Sequence, residues 1–310
     1  MKRPSRTHPR RVKRLAHTAA VAVAVALLVS TVGRNAIEPA GAFPTITVVQ
    51  TASADVLWTP DKPLFVLLLG DDRRAGAGCG CADAIHVVGI PAGGGQATMI
   101  NIPRDSRVNI PGQGAGKING ALSSGGPQLA ADTVSGFVGV PISYTFVVGF
   151  DALPALVDEL GGVTVDVPYD MYDRNAGADF VAGPVVMDGR AVLALSRARK
   201  AIPGGDFGRT TNQALLIISA LGQLRANGVT AGDEFRYLGT MMRHMGADGI
   251  GVQELYRLGR LALAIDPANV RSYTMPAGTG TIGGTSYVLP GGEAQALFAD
   301  FADDAVLQSH

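Results

Sequence analysis

An uncharged apolar segment near the N-terminus constrains the fold of this chain more than any other feature. Residues 15–33 read LAHTAAVAVAVALLVSTVG and contain no Asp, Glu, Lys or Arg. A helix of ~20 apolar residues is long enough to span the hydrocarbon core of a bilayer. The segment therefore predicts a transmembrane anchor with a short tail on one side of the membrane and a large body on the other.

The charges on the two sides of this segment differ in sign. The chain has 26 basic and 26 acidic residues, but eight of the basic residues and none of the acidic ones precede position 35. Because Lys and Arg beside a span stay on the cytoplasmic side, residues 1–14 are predicted to be a cytoplasmic basic tail and the acidic body extracytoplasmic. A basic run can also indicate nucleic-acid binding, but the adjoining span favours a membrane partner and no nucleic acid.

The segment after the predicted anchor leaves two interpretations open. Residues 52–54, Ala-Ser-Ala, have the spacing of a signal-peptide cleavage site, so a cleaved leader is the alternative to an anchor. The site lies about twenty residues beyond the apolar run, and this distance favours an uncleaved anchor. Residues 34–61 are rich in Ala, Pro, Thr and Val without helical period, and we interpret them as an extracytoplasmic linker.

The body, residues 62–310, alternates predicted strands and helices. Short apolar runs at residues 62–70, 84–90, 96–102 and 143–150 predict buried strands, the second and third joined by a Pro-Gly-rich hairpin turn. Helical periodicity follows at residues 117–139, broken at Gly125 and Gly126, and again at residues 189–196 and 209–228. Strands interleaved with helices predict an α/β sheet covered on both faces.

Motifs of several enzyme classes are missing. The sequence has no His-Glu-x-x-His or Gly-x-Ser-x-Gly, and His86 lies inside an apolar strand, as expected of a core histidine. GTGTIG, from Gly278, fits a dinucleotide motif, but an extended stretch follows it instead of a helix. GAGK, ending at Lys117, lacks the Ser or Thr of a phosphate loop. Both are predicted to be turns.

Cys79 and Cys81 are the only cysteines. Two ligands are too few for a zinc site, and one intervening residue makes a strained bridge. An exported compartment would permit oxidation, so a local disulfide remains the alternative, but we favour free thiols.

Charged residues follow or begin the predicted strands. Asp72 and Arg74 come directly after the first strand, Asp83 begins the second, and Arg104 follows the third. Open α/β sheets bind ligands at the carboxyl edge of their strands, so these residues are candidates for one site.

A second basic cluster, SRARKAIPGGDFGR, occupies residues 196–209. If the preceding helix ends near residue 196, Arg197 and Arg199 lie on extended chain and point the same way. Arg209, in the first turn of the next helix, shares a face with Gln213. The four side chains predict an anion cradle, because guanidinium groups donate paired hydrogen bonds to phosphate. A network of ion pairs with Asp206 or Asp188 is the alternative.

Seven motifs occur in a fixed order along the body, between residues 64 and 301. They read LLLGDDRR, INIPRDSRVNIPG, KINGAL with GGP, VVGFDALPALVDELGGVTVDVP, LALSRAR, GDFGRTTNQ and GTGTIGGTSYVLP. In this combination the chain resembles the LytR-CpsA-Psr family of cell-envelope glycopolymer transferases. The resemblance implies a three-layer α/β/α domain with a central mixed sheet outside the membrane. It also implies transfer of a glycosyl phosphate from a polyprenyl-pyrophosphate-linked glycan to a peptidoglycan hydroxyl.

The resemblance also assigns roles to individual residues. The acids associated with Mg²⁺ correspond to Asp72 and Asp83, either of which could instead accept the hydroxyl proton. The pyrophosphate-binding residues correspond to Arg74, Arg104, Arg197, Arg199, Arg209 and Gln213, and Arg104 joins the two acids as a catalytic candidate. Lys200 has no family role and is expected to face solvent. Cys81 stands where family members usually carry an arginine, two residues before the second acid.

Two other functions stay open. The replacement of an arginine by Cys81 is compatible with a non-catalytic protein that binds or scaffolds lipid-linked glycans. A glycosidase with two carboxylates is the third hypothesis, although it would not need clustered arginines.

Overall fold

The computed structural model describes residues 46–51, 59–72, 79–149, 153–200, 202–226 and 245–308. The predicted basic tail, the predicted transmembrane helix and Arg74 lie outside these residues. No helix within the described ranges is long and apolar enough to cross a membrane.

Helices and strands alternate along the described chain. The strands are β1 (Ile46–Gln50), β2 (Leu64–Asp71), β3 (Ala82–Ile90), β4 (Ala97–Asn101), β5 (Arg107–Ile110), β6 (Gly114–Lys117), β7 (Tyr144–Gly149), β8 (Val163–Val167), β9 (Met171–Asp173), β10 (Ala178–Phe180), β11 (Gly183–Met187), β12 (Met245–Asp248), β13 (Val270–Thr274), β14 (Ala277–Ile282) and β15 (Thr285–Pro290). The helices are α1 (Gly120–Val138), α2 (Leu153–Glu159), α3 (Gly189–Arg197), α4 (Asp206–Ala226), α5 (Val252–Ala264) and α6 (Gly292–Asp304), with a 3-10 turn at Pro267–Asn269.

A seven-stranded mixed sheet forms the centre of the domain, in the order β12-β1-β7-β2-β3-β4-β13. β2 runs parallel to β7 and antiparallel to β3, and β13 runs parallel to β4. Side chains alternate along β2, so Phe65 and Leu67 pack in one core with α1 and α6, whereas Leu64 and Val66 pack in another with Leu258 of α5. Helices therefore cover both faces, which confirms the predicted α/β/α arrangement and explains the continuous apolar run.

β1 lies inside the segment that the sequence assigned to a linker. Ile46–Gln50 pairs antiparallel with β7 and parallel with β12, and Ile46 and Val48 are buried against Leu156. The pairing partners are about 100 and 200 residues away in sequence, and five residues of alternating burial give only a weak local signal. The folded domain therefore begins before residue 62, within the predicted 34–61 linker.

The break predicted in the helix after the β5–β6 hairpin is present. Gly125 and Gly126 have non-helical backbone angles inside α1, and φ of Gly126 is 68°. The GTGTIG segment forms β14, which pairs antiparallel with β15, so it belongs to a hairpin. GTGTIG and GAGK are therefore not the predicted turns but lie in strands β14 and β6, whereas the extended stretch predicted after GTGTIG is present as β15.

A smaller module carries part of the site. β8 pairs with β11, and β9 pairs with β10. Their inward residues, including Val165, pack with Leu195 of α3 and Leu216 of α4 in a separate apolar cluster. This packing holds α3 and the β9–β10 hairpin against the middle of α4.

His86 is a core residue, as predicted, and it gives a test of the fold. It lies in β3, is 1% exposed, and its Nδ1 lies 2.8 Å from Oδ1 of Asn101 in β4. Asn101 in turn donates to Ser272 in β13 at 2.9 Å. Burial lowers the pKa of His86 to about 4, although the hydrogen bond with Asn101 acts in the opposite direction.

We expect the domain to lose stability as the pH falls from about 6.5 to about 4, because the unfolded chain binds a proton at residue 86 that the folded chain excludes. The contribution is about 3 kcal/mol, since one pKa unit corresponds to about 1.4 kcal/mol. Denaturant unfolding at several pH values measures it. The His86→Gln variant should lack this slope; equal slopes for the two proteins would contradict the assignment.

Candidate functional site

Three strand ends meet at one edge of the central sheet. β3 runs antiparallel to both β2 and β4, with Gly70 opposite Ala84 and Asn101 opposite His86. The end of β2, the start of β3 and the end of β4 therefore lie side by side. This register brings Asp72, Asp83 and Arg104 to one edge of the sheet, as the sequence predicted.

These three residues line one cavity of about 200 Å³ together with the second basic cluster. The full lining consists of Asp72, Asp83, Arg104, Asp173, Asn175, Ala176, Ser196, Arg197, Arg199, Lys200 and Arg209. Five basic and three acidic side chains give the lining a formal charge of +2. A concave site of this sign attracts and concentrates anions.

Asp83 lies between two arginines. Nη1 of Arg104 donates a hydrogen bond to Oδ1 of Asp83, and Nη1 of Arg209 lies 3.9 Å from Oδ2. Arg209 also pairs with Asp206, with Nη2 to Oδ1 at 2.9 Å. The Nε atoms of Arg104 and Arg209 are buried and have no hydrogen-bond partner within the described part of the chain. Both guanidinium groups therefore carry one buried N–H donor without a partner among the described residues.

The two arginines differ in electrostatic setting. Burial acts to lower the pKa of Arg104, but its hydrogen bond to Asp83 and the charge of that carboxylate outweigh this effect and raise the pKa. Burial lowers the pKa of Arg209, and the charge of Arg104 adds to the effect, although Asp206 and Asp83 oppose it. Arginine keeps its charge through shifts of this kind, so both side chains act as fixed cations.

Residues 197–200, here called the arginine segment, begin at the last residue of α3, which ends later than the sequence suggested. Asp188 caps the start of the helix by accepting from the Ala191 N–H at 2.8 Å, and Arg197 is the last helical residue. Ala198 is extended and buried, and Arg199 follows it with a side chain that is 51% exposed. Arg197 is therefore not on extended chain as predicted. Both arginines nevertheless line the cavity.

Arg209 is placed by the first turn of α4. The turn before the helix uses Gly205, whose φ is 56°. A Cβ at Gly208 would lie 2.1 Å from the Pro203 carbonyl oxygen, so only glycine fits there. The helix begins at Asp206, which places Arg209 in the first turn as predicted, with its side chain 4% exposed. The ion pair with Asp206 that the sequence offered as an alternative is present, whereas anion binding by these residues stays a prediction.

Gln213 does not line the cavity. It is buried, and its Nε2 donates to the Ser196 carbonyl oxygen at 3.0 Å. Gln213 and Arg209 do share one face of α4, but Gln213 contacts the backbone directly before the arginine segment. The structure therefore places Gln213 behind the site.

Four polar members of the lining were not predicted: Asp173, Asn175, Ser196 and Lys200. Lys200 is exposed, as expected, but it also lines the cavity. Asp173 and Asn175 come from the β9–β10 hairpin, for which the sequence offered no site motif. A carboxylate directly before a short turn gives no functional signal, because turns are generally rich in Asp and Asn.

Asp72 is held by hydrogen bonds to the backbone of Cys81. The Cys81 N–H donates to Oδ1 of Asp72 at 2.9 Å, and the Asp72 N–H donates to the Cys81 carbonyl at 3.1 Å. Cys79 and Cys81 form a disulfide, which corrects the expectation of free thiols, and Sγ of Cys79 lies 3.7 Å from Oδ2 of Asp72. The Cα atoms are 5.1 Å apart, which is within reach of a disulfide.

We expect reduction of this disulfide to weaken pyrophosphate binding in the presence of Mg²⁺ several-fold, because it releases the segment that holds Asp72. Calorimetric titration with and without a dithiol reductant measures the change. Wild-type protein should take up two alkyl groups only after reduction. The Cys79→Ser, Cys81→Ser double variant should not respond to reductant, and alkylation of both cysteines without reductant would refute the expectation.

Asp72 and Asp83 are the candidate ligands for a metal ion at this site. Within the described ranges there is no group of three or more His, Cys, Asp or Glu residues that could hold a metal ion. Asp72 and Asp83 line the same cavity. Mg²⁺ commonly binds through one or two carboxylates and the phosphate oxygens of a substrate. The residues therefore fit Mg²⁺ bound together with a phosphorylated ligand.

The comparisons with known proteins agree with this fold. The LytR_cpsA_psr family model matches residues 40–301, most of the chain. The chain belongs to the LytR_cpsA_psr family. The match begins before β1, in agreement with a domain that starts within the predicted linker.

Members of the LytR_cpsA_psr family with related sequences include two cell-wall proteins. The polyisoprenyl-teichoic acid–peptidoglycan teichoic acid transferase TagU of Bacillus licheniformis is 38% identical over 157 residues, which are 50% of each chain. The probable cell wall biosynthesis protein LcpB of Corynebacterium glutamicum is 32% identical over 256 residues, 81% of this chain and 61% of LcpB. The chain thus spans about half to three fifths of the length of these relatives.

A solved structure of a LytR_cpsA_psr protein has the same fold. The family protein YwtF (TagT), whose solved structure has octaprenyl pyrophosphate lipid bound, superposes with a TM-score of 0.63 at 21% identity. The superposition covers 83% of this chain and 96% of YwtF. It confirms the α/β fold of the family, including its central mixed sheet.

Proposed function

We propose that the protein is a phosphotransferase that moves a glycosyl phosphate from a polyprenyl-pyrophosphate-linked glycan to a peptidoglycan hydroxyl group. The main support is one cavity lined by five basic and three acidic side chains, in which half-buried Arg104 and buried Arg209 lie on either side of Asp83. The name of TagU and the lipid bound to YwtF support the same chemistry.

The arginines carry most of the proposed mechanism. Arg104, Arg197, Arg199 and Arg209 would donate hydrogen bonds to the pyrophosphate oxygens and hold the sugar-linked phosphorus facing the acceptor. The acceptor oxygen forms a bond to this phosphorus while the bond to the bridging oxygen breaks, and polyprenyl phosphate leaves. Positioning and charge stabilisation supply most of the rate in phosphoryl transfer, and guanidinium groups supply both.

The acceptor hydroxyl also loses a proton. Both oxygens of Asp83 face guanidinium groups, those of Arg104 and Arg209, so we assign the proton to Asp72. Mg²⁺, when held by Asp83 and the pyrophosphate oxygens while Asp72 takes the proton, would offset the negative charge of the pyrophosphate. Mg²⁺ or another divalent cation is therefore the proposed cofactor.

The location follows from the substrates and the N-terminal sequence. We propose that residues 15–33 form a single transmembrane helix with the basic tail in the cytoplasm. The domain would then lie outside the membrane, where both the lipid carrier and peptidoglycan can reach it.

A reconstitution experiment tests the proposal. The full-length protein in lipid vesicles, given a polyprenyl-pyrophosphate glycan, peptidoglycan and Mg²⁺, should release polyprenyl phosphate and attach uncut glycan to peptidoglycan. Absence of product with every divalent cation tried would contradict the proposal, and cleaved glycan chains would favour a glycosidase.

A second function is favoured by Cys81. If the missing family arginine is essential for turnover, the protein binds the lipid-linked glycan without transferring it. Tight binding that Asp72→Ala and Asp83→Ala leave unchanged, with no turnover in any variant, would support this non-catalytic role.

A further inference from the structure

The side chain of Asp173 joins two walls of the cavity. Asp173 ends β9, is 3% exposed and lines the cavity. One wall is the tip of the β9–β10 hairpin, which contributes Asn175 and Ala176. The other wall is the arginine segment at the end of α3. The two walls are more than twenty residues apart in sequence, so a local turn cannot hold them together.

Each carboxylate oxygen of Asp173 serves one wall. Oδ1 accepts hydrogen bonds from the backbone N–H groups of Asn175 at 3.0 Å and Ala176 at 3.3 Å. Oδ2 accepts from the backbone N–H groups of Arg199 and Lys200, both at 2.8 Å. Charge-assisted hydrogen bonds of this length are stronger than those between neutral groups. The backbone at Arg199 and Lys200 is thus tied to the hairpin.

We propose that Asp173 is a positioning residue for anion binding, which sets the backbone from which Arg199 and Lys200 reach the cavity. This inference rests on the proposed function, because it assumes that the cavity binds pyrophosphate. Asp173 does not itself donate to the ligand. Its effect passes through two basic side chains whose backbone amides it holds.

The charge state of Asp173 supports this role. Burial acts to raise the pKa of Asp173, but the hydrogen bonds from the backbone of Arg199, Lys200, Ala176 and Asn175 outweigh it and lower the pKa to about 2. The carboxylate is therefore ionised at any pH at which a cell envelope functions. The tie between the walls does not depend on pH in that range.

The direction in which Asp173→Asn changes the affinity for pyrophosphate distinguishes a positioning role of Asp173 from a purely electrostatic one. Asp173→Asn removes a negative charge from the cavity, and this change by itself strengthens the binding of an anion. The same substitution replaces one acceptor oxygen by an NH₂ group, which cannot accept from the two amides of one wall. Weaker binding by the variant therefore means that the loss of the hydrogen bonds outweighs the favourable effect of removing a negative charge.

A matched variant controls for damage to the hairpin. Asp170 lies before β9, is exposed, and its Oδ1 accepts from the Ala182 N–H at 2.7 Å, beyond the far end of β10. Asp170→Asn makes the same change in charge on the same hairpin, but Asp170 does not line the cavity. It should bind pyrophosphate like the wild type.

The test is calorimetric titration of the full-length protein with inorganic pyrophosphate, with and without Mg²⁺. We expect Asp173→Asn to raise the Kd about tenfold, which corresponds to about 1.4 kcal/mol. In the transfer assay the KM for the lipid-linked donor should rise more than kcat falls. Unchanged or tighter binding by Asp173→Asn, or an equal loss in Asp170→Asn, would overturn the inference. Failure of the wild type to bind pyrophosphate would instead contradict the proposed function.

Hydrogen–deuterium exchange of the wild-type protein tests the role of Asp173 if Asp173→Asn fails to fold. The amides of Arg199 and Lys200 should exchange slowly with deuterium in the protein without ligand, because Asp173 accepts from both. Exchange at the rate of an unstructured peptide would overturn the inference.

Discussion

The Asp83→Asn variant is expected to lose transfer activity roughly 100-fold or more, while it binds pyrophosphate more tightly than the wild type when Mg²⁺ is absent. Asp83 faces Arg104 through one oxygen and Arg209 through the other. The substitution removes the negative charge that competes with an anionic ligand for these arginines. The same change removes the carboxylate proposed to hold Mg²⁺.

Two measurements separate these effects. Titration with pyrophosphate should show that Mg²⁺ enhances binding to the wild type and adds little to Asp83→Asn. The transfer assay should show the loss of turnover at saturating donor. Tighter binding together with lost turnover is an unusual combination, because damage to the fold would weaken both.

Asp105 provides the matched control for Asp83. It lies next to Arg104, with Oδ2 4.0 Å from Nε, and its Oδ1 pairs with Lys117 at 2.8 Å. It does not line the cavity. Asp105→Asn should keep near-normal turnover and Mg²⁺ dependence. If Asp83→Asn retains full activity, or if Asp105→Asn loses as much, the role assigned to Asp83 is wrong.

The Arg209→Met variant is expected to lose both stability and ligand binding. Its side chain is only 4% exposed and lies between Asp206 and Asp83. Removal of one partner from a buried group of charges costs about 3 kcal/mol, because the remaining carboxylates lose their compensation. For a domain of this size the Tm should fall by roughly 6–12 °C. Pyrophosphate affinity should fall roughly 100-fold.

A double-variant comparison distinguishes the two losses. Adding Asp206→Asn to Arg209→Met removes one of the uncompensated carboxylates, so it should restore part of the Tm but not the affinity. Arg199→Met is a second comparison, because this side chain is 51% exposed and lies 3.9 Å from Asp206. It should weaken pyrophosphate binding with little change in Tm. Recovery of binding in the double variant would contradict the role of Arg209.

The central strands and the residues at their ends could be predicted from sequence. Apolar runs at β2, β3, β4 and β7 have a strong local signal, and the antiparallel turn between β3 and β4 is marked by Pro and Gly. Once β3 is known to pair antiparallel with β2 and β4, it follows that Asp72, Asp83 and Arg104 lie at one edge of the central sheet. The position of Arg209 in a first helical turn follows from the two glycines before Asp206.

Other features could not be predicted, because they depend on residues distant in sequence or on a backbone geometry that the residue pattern does not fix. β1 contains few residues, and its strand pairing becomes visible only beside β7 and β12. Gln213 shares a helical face with Arg209, yet the packing of α3 places the Ser196 carbonyl in front of it. The Cys79–Cys81 disulfide depends on a local backbone geometry that the spacing of two cysteines does not fix.

The sequence by itself determined the alternation of strands and helices and the family resemblance. It also determined which acids and arginines, at the ends of strands and helices, form most of the cavity lining. These features follow from local periodicity and from motifs within short segments. Only the tertiary structure decided that Asp173 holds Arg199 and Lys200, that Asp83 lies between two arginines, and that the domain includes β1. Each of these is a contact between segments separated by many residues, and its geometry is set by the packing of the whole domain.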